Sequence, residues 1–268
     1  MRVGIVGYKK GKEAAETVKK FAEFLCSEGY DAVEFAVHTE ITGVDVVLVL
    51  GGDGAILHSS IVAAKQGIKI IGINFGTLGF LTEYEKSEKE RVKELLVAIE
   101  NNACRVLKRS ILQIEIGEKV YYALNEISIQ RDYGLNEYQA RQILSLELRC
   151  REGVDVISGD GLLVCTPTGS TAYSLSAGGA IITPEVPVFM MTPICAFSMR
   201  ARPIVFSDTE EFVITSLQGK AIVLADGCAV AQIPENSRIC IKKAPFTADF
   251  PVKETSGFLD KVRNKLNG

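Results

Sequence analysis

Apolar positions along the first hundred residues alternate between two periods. Arg2–Val6 and Asp31–Val37 read as strands. Val44–Leu50 is unbroken in its apolar character, the pattern of a strand buried on both faces of a parallel sheet. Between these strands, Lys12–Ser27 carries Val18, Phe21, Ala22 and Leu25 at helical spacing, with Gly29 as its stop. The pattern continues with a helix over Gly54–Gln66, a strand over Ile68–Asn74 and a helix over Ser87–Asn101, whose Val92, Leu95, Leu96 and Ile99 share one face. Strand and helix in alternation predict an open, parallel, Rossmann-like sheet.

After Ala103 the period changes. The run Arg109–Gln130 reads as two strands joined around Gly117-Glu118, and further β-like runs follow at Ile143–Cys150, Leu162–Thr166, Pro203–Phe206, Glu211–Thr215, Ala221–Ala225 and Arg238–Lys242. Short strands with frequent turn residues predict a β-rich second domain, a β-sandwich. Gly257–Leu266 turns helical again and is expected to return to the first domain. The expected fold is thus α/β plus all-β: residues 1–103 with a returning tail 247–268, and a β-rich domain over 104–246.

Composition narrows the chemistry. In 268 residues, 47% are apolar and 24% charged, a globular balance with ample material for a core. The net charge of −3, with both signs mixed, advertises no nucleic-acid surface. The longest apolar stretch after the first domain, Val186–Phe197, is interrupted by Pro187 and Pro193 and is too short to span a bilayer, so no membrane partner is expected. The start, Met1–Gly7, reads as a strand and not as a secretion signal. Seven cysteines are scattered without a Cys-x-x-Cys pair, which fits reduced thiols in a cytoplasm. With His38 and His58 the only histidines, an all-protein zinc site or a Ser-His-Asp triad is a poor fit.

Glycine clusters mark the candidate chemistry. Gly51-Gly52-Asp53-Gly54 lies between a strand's carboxyl end and a helix's amino end, where open α/β sheets place ligands and where N–H groups favour phosphate. Asp53 is odd beside an anion; it makes sense if it acts on a hydroxyl or through a metal ion, and the plainer reading is a helix cap. Gly7–Glu13 has the wrong spacing for a Walker loop, and the first strand-to-helix turn lacks Gly-x-Gly-x-x-Gly. Gly72–Leu81 supplies a second flexible wall, in which Phe80 either stacks on a planar ring or sits under the loop. Asn125 and Glu126 are adjacent in a predicted strand; they point to opposite faces unless they lie near a strand end or bulge, where an amide and a carboxylate can read sugar hydroxyls. Ser158–Pro184 is the richest segment: six Ser/Thr hydroxyls between Thr166 and Ser176 surround Tyr173, fitting a nucleotide pocket.

Gly51–Gly54, Leu78-Gly79-Phe80, Asn125-Glu126, Gly159-Asp160-Gly161 and Thr166–Gly179, in this order and spacing, resemble the NAD kinases across nearly the whole chain, together with Thr192–Val205 and Ala225-Asp226-Gly227. The Gly-Gly-Asp-Gly fragment alone is shared with diacylglycerol-type lipid kinases and loosely with phosphofructokinases, whereas Thr166–Gly179 is far more specific. The resemblance implies ATP-dependent phosphorylation of the adenosine ribose 2′-hydroxyl of NAD, aided by a divalent metal ion such as Mg²⁺ held through phosphates. It implies Asp53 as the catalytic carboxylate, with Gly52, Gly54 and Phe80 among the substrate- and nucleotide-binding residues. Asn125 and Glu126 would fix the ribose, and Thr168, Ser170, Thr171, Ala172, Tyr173 and Ser176 would line the nucleotide pocket. Asp160, the Pro193–Ala196 stretch with Cys195, and Asp226 complete the set. Family sites are completed by a neighbouring subunit, which implies a homodimer or homotetramer. Two departures stand out: Pro193–Phe197 lacks the Pro-His common in relatives, and His58 replaces a basic or tyrosyl residue, leaving open what neutralises the donor phosphates. A lipid or sugar kinase, or a silent dinucleotide sensor, are the competing readings.

Overall fold

The computed structural model describes residues 1–7, 12–37, 39–75, 79–133, 143–252 and 257–266. His38 and Leu78, named above, lie outside the described residues. The chain divides into two compact units: Met1–Lys108 with Phe246–Gly268, and Arg109–Pro245.

The first unit is built on five parallel strands: β1 (Arg2–Gly7), β2 (Asp31–Phe35), β3 (Val46–Leu50), β4 (Lys69–Asn74) and the two-residue β5 (Tyr84–Glu85), in the order β2-β1-β3-β4-β5. All five residues of β3 are buried, because helices cover both faces of its sheet. Helices α1 (Lys12–Ser27), α2 (Asp53–Lys65) and α3 (Lys89–Glu100) connect the strands. One core joins Val3, Ile5, Leu48 and Ile71 of the sheet to Phe21 and Leu25 of α1 and to Val92, Leu95, Leu96 and Ile99 of α3. The helical spacing read from the sequence therefore marks the buried faces. In this strand order the chain reverses direction of growth between β1 and β3, and the carboxyl ends of strands at such a point hold ligands in doubly wound sheets. The Gly51–Gly54 turn follows β3 at that end.

The second unit is a sandwich of two antiparallel six-stranded sheets. The first contains β7 (Leu112–Ile116), β8 (Lys119–Ala123), β10 (Leu144–Cys150), β11 (Gly153–Gly159), β15 (Phe212–Gln218) and β18 (Arg238–Lys243). The other contains β9 (Glu126–Arg131), β12 (Gly161–Cys165), β13 (Val188–Ile194), β14 (Ile204–Ser207), β16 (Ala221–Ala225) and β17 (Cys228–Ile233). Alternate residues of both sheets, among them Leu112, Ile127, Leu146, Val164, Phe189, Phe212 and Ile241, form one core. The strand β12 is buried along its full length because Leu163 and Cys165 point away from that core, into a second cluster with Ile182, Met190 and Ile194. The segment that carries Thr166–Gly179 is thereby packed onto the back of a central strand.

One strand expectation needs correction. Arg109–Gln130 contains not two strands but the hairpin β7–β8 and most of a third strand, β9, which belongs to the other sheet. The cause is the carboxylate of Asp226, which accepts the N–H groups of Leu124, Asn125 and Glu126 and turns the chain between sheets. The apolar run Val186–Phe197 contains strand β13 despite its prolines. Its partner β14 ends its pairing at Met191, so Pro193 lies beyond that ladder.

In the first unit, β19 (Ala248–Val252) pairs with β6 (Arg105–Arg109), and the terminal helix α5 (Phe258–Leu266) docks through Lys261. The Lys261 ammonium, almost fully buried, donates to Glu83 Oε1 at 2.6 Å and to the Thr82 carbonyl at 3.2 Å. Among the described residues, no helix is long and apolar enough to cross a membrane.

Gly72 in β4 reports how closely the Leu81–Thr82 segment lies on the sheet. A Cβ there would stand 2.5 Å from Ile56 Cδ1 and 2.6 Å from the Leu81 carbonyl oxygen. Overpacking of this kind costs about 1–3 kcal/mol. Gly72→Ala is expected to lower Tm by several degrees in a thermal denaturation scan. An unchanged Tm would mean that the segment yields freely.

Candidate functional site

Each unit carries its own cluster of polar groups. In the first, Asp53 opens α2 but does not cap it: the cap is Gly52, in extended conformation, with no side-chain cap bond. The Asp53 carboxylate instead reaches the neighbouring wall. Its Oδ2 accepts the N–H of Phe80 at 2.9 Å, and its Oδ1 that of Leu81 at 3.0 Å. Gly79 makes this possible, since a Cβ on it would lie 1.9 Å from Asp53 Oδ1. Gly79 in turn donates its N–H to Thr82 Oγ1 at 2.9 Å. The two glycine-rich turns are thus one structure, locked by a carboxylate.

Gly52 and Gly54 differ from Gly79. A Cβ at either would meet nothing within 4 Å, and neither has a positive φ. Packing does not demand glycine there; the openness itself, at the amino end of a 13-residue helix, suits close approach of a phosphate. Phe80 is half-buried. Its ring stands 6.4 Å from that of Phe258 in α5, and the Lys265 ammonium lies 4.5 Å from its centroid. The same ammonium is 3.5 Å from Asp53 Oδ2. Lys261 and Lys265, one helical turn apart, were invisible in the sequence reading, because nothing local ties them to residues some two hundred positions earlier.

In the second unit, Asn125 and Glu126 meet the condition that the sequence set: Glu126 is the first residue of β9 and Asn125 precedes it, so both lie at a strand end. Asp226, at φ 47°, holds them there. Its carboxylate accepts the N–H of Leu124 at 2.8 Å, of Asn125 at 2.7 Å and of Glu126 at 3.2 Å, and its own N–H donates to the Glu126 carbonyl at 3.0 Å. Burial raises the Asp226 carboxyl despite these three donors. Glu126 is 6% exposed, and its Oε2 has no hydrogen-bond partner. Burial, and after it the charge of Asp226, pushes its carboxyl up to about 7. A buried unpaired carboxylate oxygen is costly unless something arrives to satisfy it.

Several hydroxyls of the Thr166–Ser176 segment are bonded within the protein. Thr166 Oγ1 donates to the Leu124 carbonyl at 2.6 Å and accepts the Gly169 N–H at 3.2 Å. Ser170 is fully buried, its Oγ donating to the Pro167 carbonyl at 2.7 Å and accepting the Ile182 N–H at 3.0 Å. Thr168 is buried and accepts from Arg109 Nη1 at 3.1 Å, and Ser174 bonds Thr192 at 3.1 Å. Thr168 and Ser170 thus turn inward and fold the loop. Thr171 and Ala172 are half-buried, while Tyr173 and Ser176 are exposed. Gly169 lies against Asn125, where an added Cβ would stand 2.1 Å from its carbonyl oxygen, so the loop and the Asn125-Glu126 turn are packed as one surface.

Tyr173 marks the centre of that surface. Burial raises its phenol, with Cys195, Asp160, Glu126 and Tyr133 adding to the effect. Asp160 pairs with Arg131 Nη2 at 3.0 Å, and the Arg131 guanidinium stacks over Tyr133 at 4.5 Å. Cys195 is exposed at φ 45°, and its carbonyl oxygen lies so near Gly159 that a Cβ there would approach to 2.8 Å. Arg109, Arg131 and Tyr133 are further members that the sequence did not reveal; each is found only through its partner.

Two family models match the chain: the ATP-NAD kinase N-terminal domain over residues 9–104 and the ATP-NAD kinase C-terminal domain over residues 124–251. The NAD kinase of Methanothermobacter thermautotrophicus is 33% identical over 285 residues, covering 99% of this chain and 96% of its own. That of Carboxydothermus hydrogenoformans is 36% identical over 253 residues, covering 91% and 87%. Among solved structures, an NAD kinase from Archaeoglobus fulgidus in complex with ATP superposes with a TM-score of 0.78 at 26% identity, over 100% of this chain and 99% of that one. Yeast NADH kinase complexed with NADH gives 0.85 at 22% identity over 99% and 87%, a likeness of fold. From domain models, full-length relatives and fold together, the chain belongs to the NAD kinase family.

Proposed function

We propose that the protein is an ATP-dependent NAD kinase that transfers the γ-phosphoryl group of ATP to the adenosine ribose 2′-hydroxyl of NAD, giving NADP. The observation that carries the reading is the Glu126 carboxylate, buried with one oxygen unpartnered, beside Asn125 at the end of β9. An amide and a carboxylate at one strand end suit the vicinal hydroxyls of a ribose. Tyr173, Ala172, Thr171, Ser176, Asp160 and Cys195 form the surrounding nucleotide surface, with Thr168, Ser170 and Asp226 shaping it from within.

Phosphoryl transfer asks for positioning and charge neutralisation more than for covalent chemistry. The open backbone at Gly52 and Gly54 receives donor phosphates, and Asp53 takes the proton of the attacking hydroxyl or keeps it in line. Among the described residues no three His, Cys, Asp or Glu side chains cluster as a protein-made metal site. The single carboxylate of Asp53 does fit Mg²⁺, which is commonly held by one or two carboxylates and substrate phosphates. When bound, the ion neutralises charge developing on the phosphates. The seven free cysteines support a cytoplasmic location. The 79% and 86% exposure of Phe197 and Met199, two and four residues past Cys195, supports a second copy of the chain as partner.

Asp53→Asn removes the charge and also opposes an amide NH₂ to one of the two backbone donors, which costs stability of about 1–3 kcal/mol. The expected loss in kcat is larger, on the order of 10²–10⁴-fold, with NAD affinity by calorimetry within a few fold of wild type. Near-normal kcat would reduce Asp53 to a brace for the second wall.

The Glu126 carboxyl predicts a pH dependence of binding. A ribose hydroxyl donating to Oε2 favours the ionised form, so binding lowers the pKa from about 7 and releases a proton. NAD affinity should therefore rise with pH and level off above about 7. In the unliganded protein the raised pKa has the opposite sense: ionising Glu126 costs stability as pH climbs from the carboxylate range towards 7. Glu126→Gln should flatten the affinity profile and raise Tm at pH above 7 relative to wild type, but not in acid. A pH-independent wild-type affinity would remove Glu126 from the ligand.

If Asp160 and the Cys195 segment reach a neighbour's ligand, the active unit is at least a symmetric dimer. Light scattering at assay concentration is expected to show a dimer or tetramer. A fully active monomer refutes this.

A further inference from the structure

We propose that Lys265, on the C-terminal helix, is the cation that meets the donor phosphates at the Gly51–Gly54 turn. The inference rests on the phosphotransfer reading above and adds a residue to it. A triphosphate seat needs positive charge, and the α2 segment after Asp53 offers only His58 and, at its far end, Lys65. The structure delivers a charge from elsewhere. The Lys265 ammonium stands 3.5 Å from Asp53 Oδ2 and 4.5 Å from the centroid of the Phe80 ring, so it lies over the wall that flanks the open glycines.

Its position does not depend on its own contact with Asp53. One turn earlier, Lys261 is buried against Glu83 and the Thr82 carbonyl, and Phe258 packs near Phe80. With these two anchors α5 cannot rotate without breaking a buried ion pair, and residues four apart on a helix share a face. Lys265 is therefore aimed at the turn by the fold. Its own bond is weak: a single contact at the outer limit of hydrogen bonding, between two partly exposed side chains. Pairs of this kind contribute little to stability. Phosphate oxygens offer stronger, charge-assisted bonds, and a flexible lysine can exchange the carboxylate for them without disturbing the helix. That exchange would also leave Asp53 Oδ2 holding only the Phe80 N–H, with a lone pair open to the hydroxyl or metal as ATP arrives.

The test compares wild type, Lys265→Gln and Lys265→Arg by calorimetry with MgATP, by steady-state kinetics with ATP varied at saturating NAD, and by thermal denaturation. Lys265→Gln is expected to weaken MgATP binding and raise KM for ATP by roughly ten- to a hundredfold, the value of one hydrogen bond to a charged partner. KM for NAD should stay within about twofold and Tm within the scatter of the wild type, and Lys265→Arg should restore most of the ATP affinity because it keeps the charge. ATP affinity within about twofold of wild type in Lys265→Gln overturns the proposal. So does an arginine variant as defective as the glutamine one, or a loss of affinity matched by a fall in Tm, which would make Lys265 a clamp for α5. Wild-type protein that binds MgATP but forms no NADP would refute the NAD kinase reading separately, since the binding contrast at Lys265 is measured without turnover.

Discussion

A carboxylate bound to two backbone N–H groups fixes the first unit's site. Asp53 lies where a doubly wound sheet collects anions, yet its two oxygens are committed to the amides of Phe80 and Leu81. The commitment has consequences on every side. Gly79 must lack a side chain to admit it, Gly72 must lack one so that the following segment can lie on the sheet, and Thr82 and Glu83 become the dock for Lys261. Removing the charge at position 53 would loosen a loop, a helix dock and a candidate reaction centre together. It is this coupling, more than proximity, that makes the two glycine-rich turns a single device.

The second unit repeats the solution with different residues. Asp226 uses its carboxylate to gather three successive N–H groups and sends the chain from one sheet to the other at Asn125. The turn leaves Glu126 buried with an unpaired oxygen. Folding thus tolerates one unfavourable group because a second, fully hydrogen-bonded one imposes it. In both units the carboxylate proposed to act on a ligand is paired with a backbone restraint that holds it in place, in one case its own and in the other a neighbour's.

How far the sequence disclosed this depends on the range of the interaction. The buried β3 and the faces of α1 and α3 follow from local period, since burial on a regular element repeats at the element's own spacing. The sandwich follows from alternation in β10, β15 and β18. The hidden parts are those in which a side chain interrupts a local rule. β9 looked like a continuation of its hairpin until Asp226, a hundred residues later, broke the pairing. Gly153–Gly159 is hard to read locally because it is an edge strand whose alternating Val154 and Val156 are exposed, with only its last residues buried. The loop after β12 showed a dense row of hydroxyls, but composition cannot say which face a hydroxyl takes. Thr166, Thr168, Ser170 and Ser174 spend theirs on the protein itself, and this leaves Tyr173 and Ser176 outward.

The inward hydroxyls bear on specificity as much as the outward groups do. A loop rich in glycine and serine would be floppy if its polar groups faced water, and a floppy wall gives up binding energy to order itself. Ser170 bridging Pro167 to Ile182, and Thr166 bridging Leu124 to Gly169, remove that freedom before any ligand arrives. Gly169 packed on the Asn125 carbonyl then makes the position of the loop and the position of the Asn125-Glu126 turn one variable. On the proposed reading, a ligand engaging Glu126 would meet Tyr173 at a fixed offset, and a sugar lacking the matching hydroxyl would leave Glu126 Oε2 buried and unpaired. Discrimination by an unsatisfied buried group is stronger than discrimination by shape alone. It requires this kind of rigidity, because a wall that could move would let water in to relieve the penalty.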